Sequence, residues 1–408
     1  MSLSGLPGEI IQLIAGHLDT QRAINALAQT NRLLYSQLNS VLYRYHVQHY
    51  IPSPALAWAA ENGQLGALVK LLQAGAEIPQ VVRPITNHPI AKAAANGHAQ
   101  IVEILLDAGM RDWLQGIDYN ILLRHAAVEN RMGVVLLLLS RGVDPWYIVG
   151  PSTICWAAHG GHAELVRLLL DNVERRGLWP AVKSRELGEA LCAAVKRSHN
   201  EAVIRMLLDA GAEVNFQRDD NITTPLDIAA NFKQVSATKL LLEAGANPNM
   251  TKSDRGGPLA SATVWEPMPS SAWLWPPEKG HRTGRRGVRI KKEPIVLVDT
   301  LAQELHRQLR SSPQEMKERQ MAVVRLLFEY GADPACAGGG SALHNALSSR
   351  NYEMAHFLLE RGVYMRIPNL DPFDQTVLDR AVAERDLETI IRLTPSNWSL
   401  ICSPQFQQ

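Results

Sequence analysis

Pairs of adjacent leucines return along this 408-residue chain at nearly constant intervals. They are Leu71/Leu72, Leu105/Leu106, Leu138/Leu139, Leu169/Leu170, Leu207/Leu208, Leu241/Leu242, Leu326/Leu327 and Leu358/Leu359. First members lie 34, 33, 31, 38, 34, 85 and 32 residues apart, so one gap is long and the rest cluster near 33. A unit this short cannot bury its own apolar stripe, so a chain built this way must stack its units and share a continuous core. Pairs run on into a small residue and a glycine, as in LLQAGAEI, LLDAGM, LLDAGAEVN, LLEAGANPN and LFEYGADPA.

One unit, Thr223 to Asn249, shows the local physics. Thr224 caps a helix whose first turn begins at Pro225, where a missing N–H costs nothing. Ala229 and Ala230 are small because that helix lies close against a second one. Leu240, Leu241 and Leu242 supply the second helix's stripe, and Gly245 takes the chain out at φ > 0. The segments His88 to Gly109 and Ser152 to Leu170 repeat the pattern. Period and chemistry together resemble the ankyrin repeat family, from about Pro54 to Pro395. The reading is nine helix-pair units, the seventh interrupted and the ninth (Asp374 to Leu393) lacking the terminal glycine, as a cap would. His344, Asp227 and Asp379 stand where the family's TPLH motif carries its histidine. The fold class expected is all-α, with a solenoid of repeats.

The first fifty residues do not follow the repeat. Leu6-Pro7 opens a helical pattern with Ile10, Ile14 and Leu18 at i, i+4 and i+8. Ile24, Leu27 and Ala28 mark a second helix, capped by Asp19 or Thr20, and Leu34, Leu38, Leu42 and Tyr43 a third. The opening LPxEI, Leu18, the LAQTNRxLY run from Leu27 to Tyr35 and the closing Leu42 to Arg44 resemble an F-box. More specifically, they resemble the F-box that precedes ankyrin repeats in many filamentous-fungal proteins. The resemblance implies a substrate receptor of an SCF-type cullin–RING ubiquitin ligase. The module would dock a Skp-type adaptor through Leu6, Pro7, Ile10, Ile14, Leu18 and Leu27, while the repeats hold a substrate protein. A fifty-residue helical trio buries little of its own apolar surface, which leaves aliphatics for a partner. The bland alternative is that these side chains pack on each other and on the first repeat. The linker Ile51-Pro52-Ser53-Pro54 leaves little freedom between the two parts.

The domain reading is 1–50 for the F-box, 54–249 for six repeats, 250–294 for a flexible insertion, 295–395 for three repeats with the cap, and 396–408 for a tail. Fingertips following the glycines carry Trp113, Trp146, Tyr147, Phe216, Arg218, Asp219 and Asp220. Aromatics and arginine on a rigid tip are the usual anchors of an interface. Each aromatic could instead tuck over its neighbouring repeat. The insertion opens with three tryptophans among prolines (Val264 to Pro277), which suits neither helix nor central strand. It closes with a basic run that includes Arg285, Arg286, Arg289, Lys291 and Lys292. Three readings stay open for it: a solvated loop, an import signal or nucleic-acid patch, and a tethered lid with Trp273 or Trp275 in a groove.

Composition narrows the function. With 46% hydrophobic residues the chain has ample material for a core, and a net charge of +1 gives no bulk field to recruit nucleic acid or membrane. The longest aliphatic run, Val134 to Leu139, falls far short of the roughly 20 residues a bilayer requires. No signal-peptide pattern opens the chain, since Glu9 interrupts it. Cys155, Cys192, Cys336 and Cys402 lack paired spacing and read as thiols in a reducing compartment. His159 and His162 form an HxxH, but His162 fills the same slot as His98, so no metal is expected. Gly338-Gly339-Gly340 lacks the lysine of a phosphate loop. The expectation is a non-catalytic, cofactor-free binding protein of the cytoplasm or nucleus, monomeric apart from its complex. The alternative is an ankyrin scaffold or nuclear regulator whose F-box is vestigial.

Overall fold

The computed structural model describes residues 6–18, 20–51, 53–79, 87–110, 116–146, 152–176, 185–217, 223–250, 257–264, 312–335 and 337–363. Among these residues every regular element is helical, with nineteen α-helices. The chain divides into two compact units, Met1–Thr153 and Ile154–Gln408.

The first unit opens with three helices: α1 (Gly8–Gly16), α2 (Gln21–Gln29) and α3 (Arg32–His49). Thr20 caps α2, its Oγ1 accepting from the Ala23 N–H at 3.2 Å, and Asn31 Oδ1 caps α3 through the Leu33 N–H at 2.9 Å. Such caps satisfy donors that a helix start leaves unpaired. Ile11, Ala15, Ala28, Leu34 and Leu38 form a small core, with Leu6, Leu27 and Val41 packed against it. Three helix pairs follow: α4 (Pro54–Glu61) with α5 (Leu65–Gln73), α6 (Pro89–Asn96) with α7 (Ala99–Leu105), and α8 (Gly116–Val128) with α9 (Met132–Ser140). First helices stack on first helices (α4 on α6 on α8) and second on second (α5 on α7 on α9).

The second unit continues the pattern with five pairs. These are α10 (Thr153–Gly160) with α11 (Ala163–Arg176), α12 (Arg185–Ala194) with α13 (Glu201–Asp209), α14 (Pro225–Asn231) with α15 (Val235–Glu243), α16 (Gly257–Thr263) with α17 (Pro313–Glu329), and α18 (Ala337–Ser348) with α19 (Tyr352–Glu360). Thr224 and Asp227 cap α14 reciprocally, with Pro225 in the first turn. Paired alanines are fully buried where helices meet closely: Ala59/Ala60, Ala93/Ala94, Ala126/Ala127, Ala157/Ala158 and Ala229/Ala230. Gly245 leaves α15 at φ 89°, and the Ala246 N–H then returns to Leu241 O at 2.9 Å.

Consecutive repeats are also laced by side chains ahead of each second helix. His98 Nε2 lies 3.1 Å from Glu61 O, Arg131 Nε donates to Ala95 O at 2.9 Å, Asn200 Nδ2 to Ala158 O at 3.1 Å, and Gln234 Nε2 to Lys196 O at 3.3 Å. Beside these bonds the backbone turns at positive φ, on Gly63, Gly97 and Gly161 but also on Asn130, His199 and Lys233. A Cβ at Gly97 would stand 2.9 Å from Arg131 Cδ, so the closeness of the lacing residue reinforces the choice of glycine.

The interruption differs from its expected bounds. Residues 257–263, assigned to the insertion from the sequence, are the first helix of the seventh repeat and are almost wholly buried. Pro258-Leu259 plays the part of Pro225-Leu226. The second helix, α17, begins at Pro313, two turns before the point where other second helices start. The ninth repeat, the basic run and the tail lie outside the described residues.

Candidate protein-binding site

Two regions carry the residues singled out above. The first is the three-helix module. Its core is made by Ile11 and Ala15 on α1, so Ile10 and Leu13, three apart on the same helix, are left outside at 44% and 64% exposure. Leu33, at the start of α3, is 45% exposed, and Tyr35 is exposed as well. Of the six residues expected to dock an adaptor, Pro7 and Ile10 are exposed. Ile14 and Leu18 are half-buried, while Leu6 and Leu27 pack on the module's own core. Leu13, Leu33 and Tyr35 are exposed too, but stand outside the six residues expected to dock an adaptor. Their signal was faint, because IIQLI is apolar on more than one face of α1 and only the position of α3 decides which face is inside.

The module is fixed to the first repeat. His46, on α3, is buried; its Nδ1 lies 3.2 Å from Gln21 Oε1 on α2 and its Nε2 3.1 Å from Ser53 Oγ. Ser53 is the N-cap of α4, its Oγ accepting from the Leu56 N–H at 3.3 Å. Gln21 Oε1 can only accept, so the ring's hydrogen sits on Nδ1 and Nε2 accepts from the Ser53 hydroxyl. Burial lowers the His46 pKa, which keeps this neutral tautomer. The His46 ring stacks on Tyr50, with centroids 4.9 Å apart, and Lys70 of α5 lies 5.9 Å over the Tyr43 ring.

The second region is the repeat array. The position just before each alanine pair sits on the first helix and varies freely: Trp58, Lys92, His125, Trp156, Cys192, Ile228. In the first repeat Trp58 is 57% exposed, and one repeat on Lys92 Nζ meets Glu61 Oε2 at 2.6 Å. His125 is buried, and desolvation with the nearby Arg124 charge drives its pKa down to about 4. This row was overlooked in the sequence, although W-A-A and K-A-A stand out once the alanine pairs are aligned.

Among the expected fingertips, Trp146 is half-buried, its backbone N–H donating to Asp144 Oδ1 at 3.1 Å, while its indole N–H is buried without an acceptor among the described residues. Phe216 rests on Gly188 of α12, so closely that a methyl there would collide with the ring. The half-buried ring thus lies over its own repeat's first helix. Trp113, Tyr147, Arg218, Asp219 and Asp220 lie outside the described residues, as do Arg285, Arg286, Arg289, Lys291 and Lys292. His159 is fully buried beside the charges of Lys196 and Arg197, and desolvation first of all lowers its pKa to about 3. Cys155 and Cys192 are buried, and Cys155 Sγ lies 3.9 Å from the Glu186 carbonyl oxygen it donates to. Among the described residues no helix is long and apolar enough to cross a membrane.

Comparison with known families places the repeats directly. Residues 56–149 and 154–252 match the family described as ankyrin repeats (3 copies), and residues 314–359 match ankyrin repeats (many copies). Together these segments span more than half of the chain. This is an ankyrin-repeat protein. Its relatives include a probable E3 ubiquitin-protein ligase, XBOS32, of Oryza sativa subsp. japonica, 30% identical over 47% of this chain and 38% of that protein. The E3 ubiquitin-protein ligase KEG of Arabidopsis thaliana is 26% identical over 69% of this chain and 17% of its own length. The ankyrin repeat and KH domain-containing protein mask-1 of Caenorhabditis elegans is 29% identical over 38% of this chain and 6% of its own. The chain therefore spans well under half the length of each of these relatives. Among solved structures, the human ASB11 ankyrin repeat domain is 25% identical over 51% of this chain and 90% of that one, with a TM-score of 0.42. Ankyrin repeats are protein-interaction scaffolds, and this array is one of them.

Proposed function

We propose that this ankyrin-repeat protein is a two-ended adaptor. In this reading the N-terminal module docks a Skp-type adaptor of an SCF-type cullin–RING ligase, and the repeats hold a substrate protein. The observation that carries the reading is the pair Ile10 and Leu13. They are exposed aliphatics on a helix whose other face is already packed, and exposed aliphatics brought together on one helix mark a partner's place better than scattered ones do. The His46–Ser53 bond between module and first repeat is what such a device needs, because a receptor must hold its two partners in a fixed relation. Two relatives are themselves named E3 ubiquitin-protein ligases. On the array, Trp58 with the Lys92–Glu61 pair is the contact surface this reading favours, since exposed tryptophan is the residue type that most often anchors an interface.

The test is co-purification of the full chain with a Skp-type adaptor. Ile10→Asp with Leu13→Asp should abolish the complex while leaving the helical circular dichroism and the melting temperature near wild type. Wild-type protein that ignores the adaptor sinks this reading and leaves the array's own partner as the function.

A further inference from the structure

The first helix of the seventh repeat, α16, is seven residues long and is held by its neighbours' side chains. In the sixth repeat a short turn, Phe232-Lys233-Gln234, joins first helix to second, closed by the Gln234 N–H on Ala229 O at 2.9 Å. α16 ends at Thr263, and its own second helix begins only at Pro313. Its C-terminal carbonyls take donors from the sixth, seventh and eighth repeats. Lys233 Nζ donates to Ser261 O at 2.9 Å, Gln320 Nε2 to Thr263 O at 2.9 Å, and Asn345 Nδ2 to Ala260 O at 3.2 Å. Gln320 and Asn345 are amides that do not titrate. Lys233 is the ionisable donor of the three.

Lys233 is placed against its own chemistry. Its backbone sits at φ 55°, a left-handed conformation that strains a residue with a Cβ and that glycine fills in three other repeats. His199 and Arg350 share this conformation and are exposed, whereas Lys233 is 2% exposed. An ammonium carries three N–H donors, and Ser261 O is the acceptor that Nζ meets among the described residues. Burying the charged form thus takes a cation out of water with donors unmet. The carbonyl end of α16 favours the cation, but desolvation prevails and moves the pKa from 10.5 down to about 7.

Neighbouring charges do not cause this shift, which comes from burial. α16 carries no ionisable residue. On α14, Asp227 is bonded to Thr224, and on α15 Lys239 and Glu243 pair with each other at 3.8 Å. Lys196 follows α12, and His344 lies on α18. On α17, Lys317 is half-buried and the other charged side chains are exposed.

We infer that Lys233 is a proton-operated latch on α16: as the amine it stays buried and bonded to the helix, and as the ammonium it withdraws to water and lets α16 part from the sixth repeat. With its midpoint near neutrality, the latch responds to modest changes in pH. α16 packs on α14, α17 and α18, so its release loosens the stack between the sixth and eighth repeats. A partner spanning that joint is then held more weakly as pH falls. This goes beyond the adaptor reading and stands or falls without it.

Hydrogen exchange of the full chain at pH 9 and pH 7, read by mass spectrometry and corrected for the intrinsic pH dependence of exchange, tests the latch. Histidines change little in this window. Opening lets Lys233 take up a proton that the closed form binds only near pH 7 and below. Protection over residues 257–263 should therefore fall roughly tenfold or more from pH 9 to pH 7. Lys233→Met keeps the apolar stem and cannot take a proton, so its protection over the same residues should stay level. Equal wild-type protection at the two pH values overturns the inference, and so does a loss that persists in Lys233→Met. If the methionine variant does not fold, Lys233→Gly supplies the residue this turn carries in three other repeats, and the same level profile is expected of it.

Discussion

Lys233 shows at the residue scale how an array spends its irregular positions. It sits at φ 55°, a slot filled by glycine in three other repeats, yet it is buried, with Nζ bonded to Ser261 O. Desolvation drives its pKa from 10.5 down to about 7. The unfolded chain then binds a proton between pH 7 and 10.5 that the folded protein does not. Stability from this group is full above 10.5 and is lost as pH falls toward 7, with a slope of up to about 1.4 kcal/mol per pH unit. Lys233→Met should flatten the rise in melting temperature between pH 7 and 10 and stabilise the protein at pH 7. Asp227 runs the other way. Burial lifts its pKa from 3.8 to about 6 against the bonds from Thr224, so its contribution is full below pH 4 and lost as pH rises through 6. Packing residues give simpler expectations. Leu241→Ala, at a fully buried site, should cost about 2–5 kcal/mol in chemical denaturation. Gly188→Ala should cost about 1–3 kcal/mol by driving a methyl into Phe216, and Phe216→Ala in the same background should recover part of that loss.

Elements were legible where one local rule decides them. Proline after a capping hydroxyl, two alanines and a glycine after the leucines fixed the sixth repeat almost residue by residue, because each answers to a neighbour a few positions away. α1 was harder to read: with Ile10, Ile11, Leu13 and Ile14 in one turn, periodicity cannot choose a face, and the packing of α3 makes Ile11 the inner residue. α16 was hidden for a related reason. Its Gly-Gly-Pro-Leu start carries no capping side chain, its partner helix lies far along the chain, and the bonds that place it come from Gln320 and Asn345. The link between α3 and α4 was anticipated only as a short linker; the His46–Ser53 bond belongs to tertiary contact and leaves no trace in local pattern. His46→Ala should therefore lower the melting temperature of the full chain by several degrees, whereas His49→Ala, on an exposed ring that meets Tyr45 one turn back on the same helix, should change it little.

For the whole molecule, the repeats make a binding frame and the proposal assigns that frame a second partner through its N-terminal module. The frame's own surface is testable without knowing its substrate's name. Trp58→Ala should leave folding intact, since the ring is more than half exposed, while removing the largest apolar contact on the first repeat; a capture partner lost in this variant and kept in Leu136→Ala, exposed on a second helix, would map binding to the first-helix row. The most direct measurement of the central claim is light scattering on a mixture of the full chain and a purified Skp-type adaptor. The account predicts a 1:1 complex that disappears when Ile10 and Leu13 are both replaced by aspartate. Two separate peaks at micromolar concentrations, from wild-type protein with its native melting temperature, would contradict it.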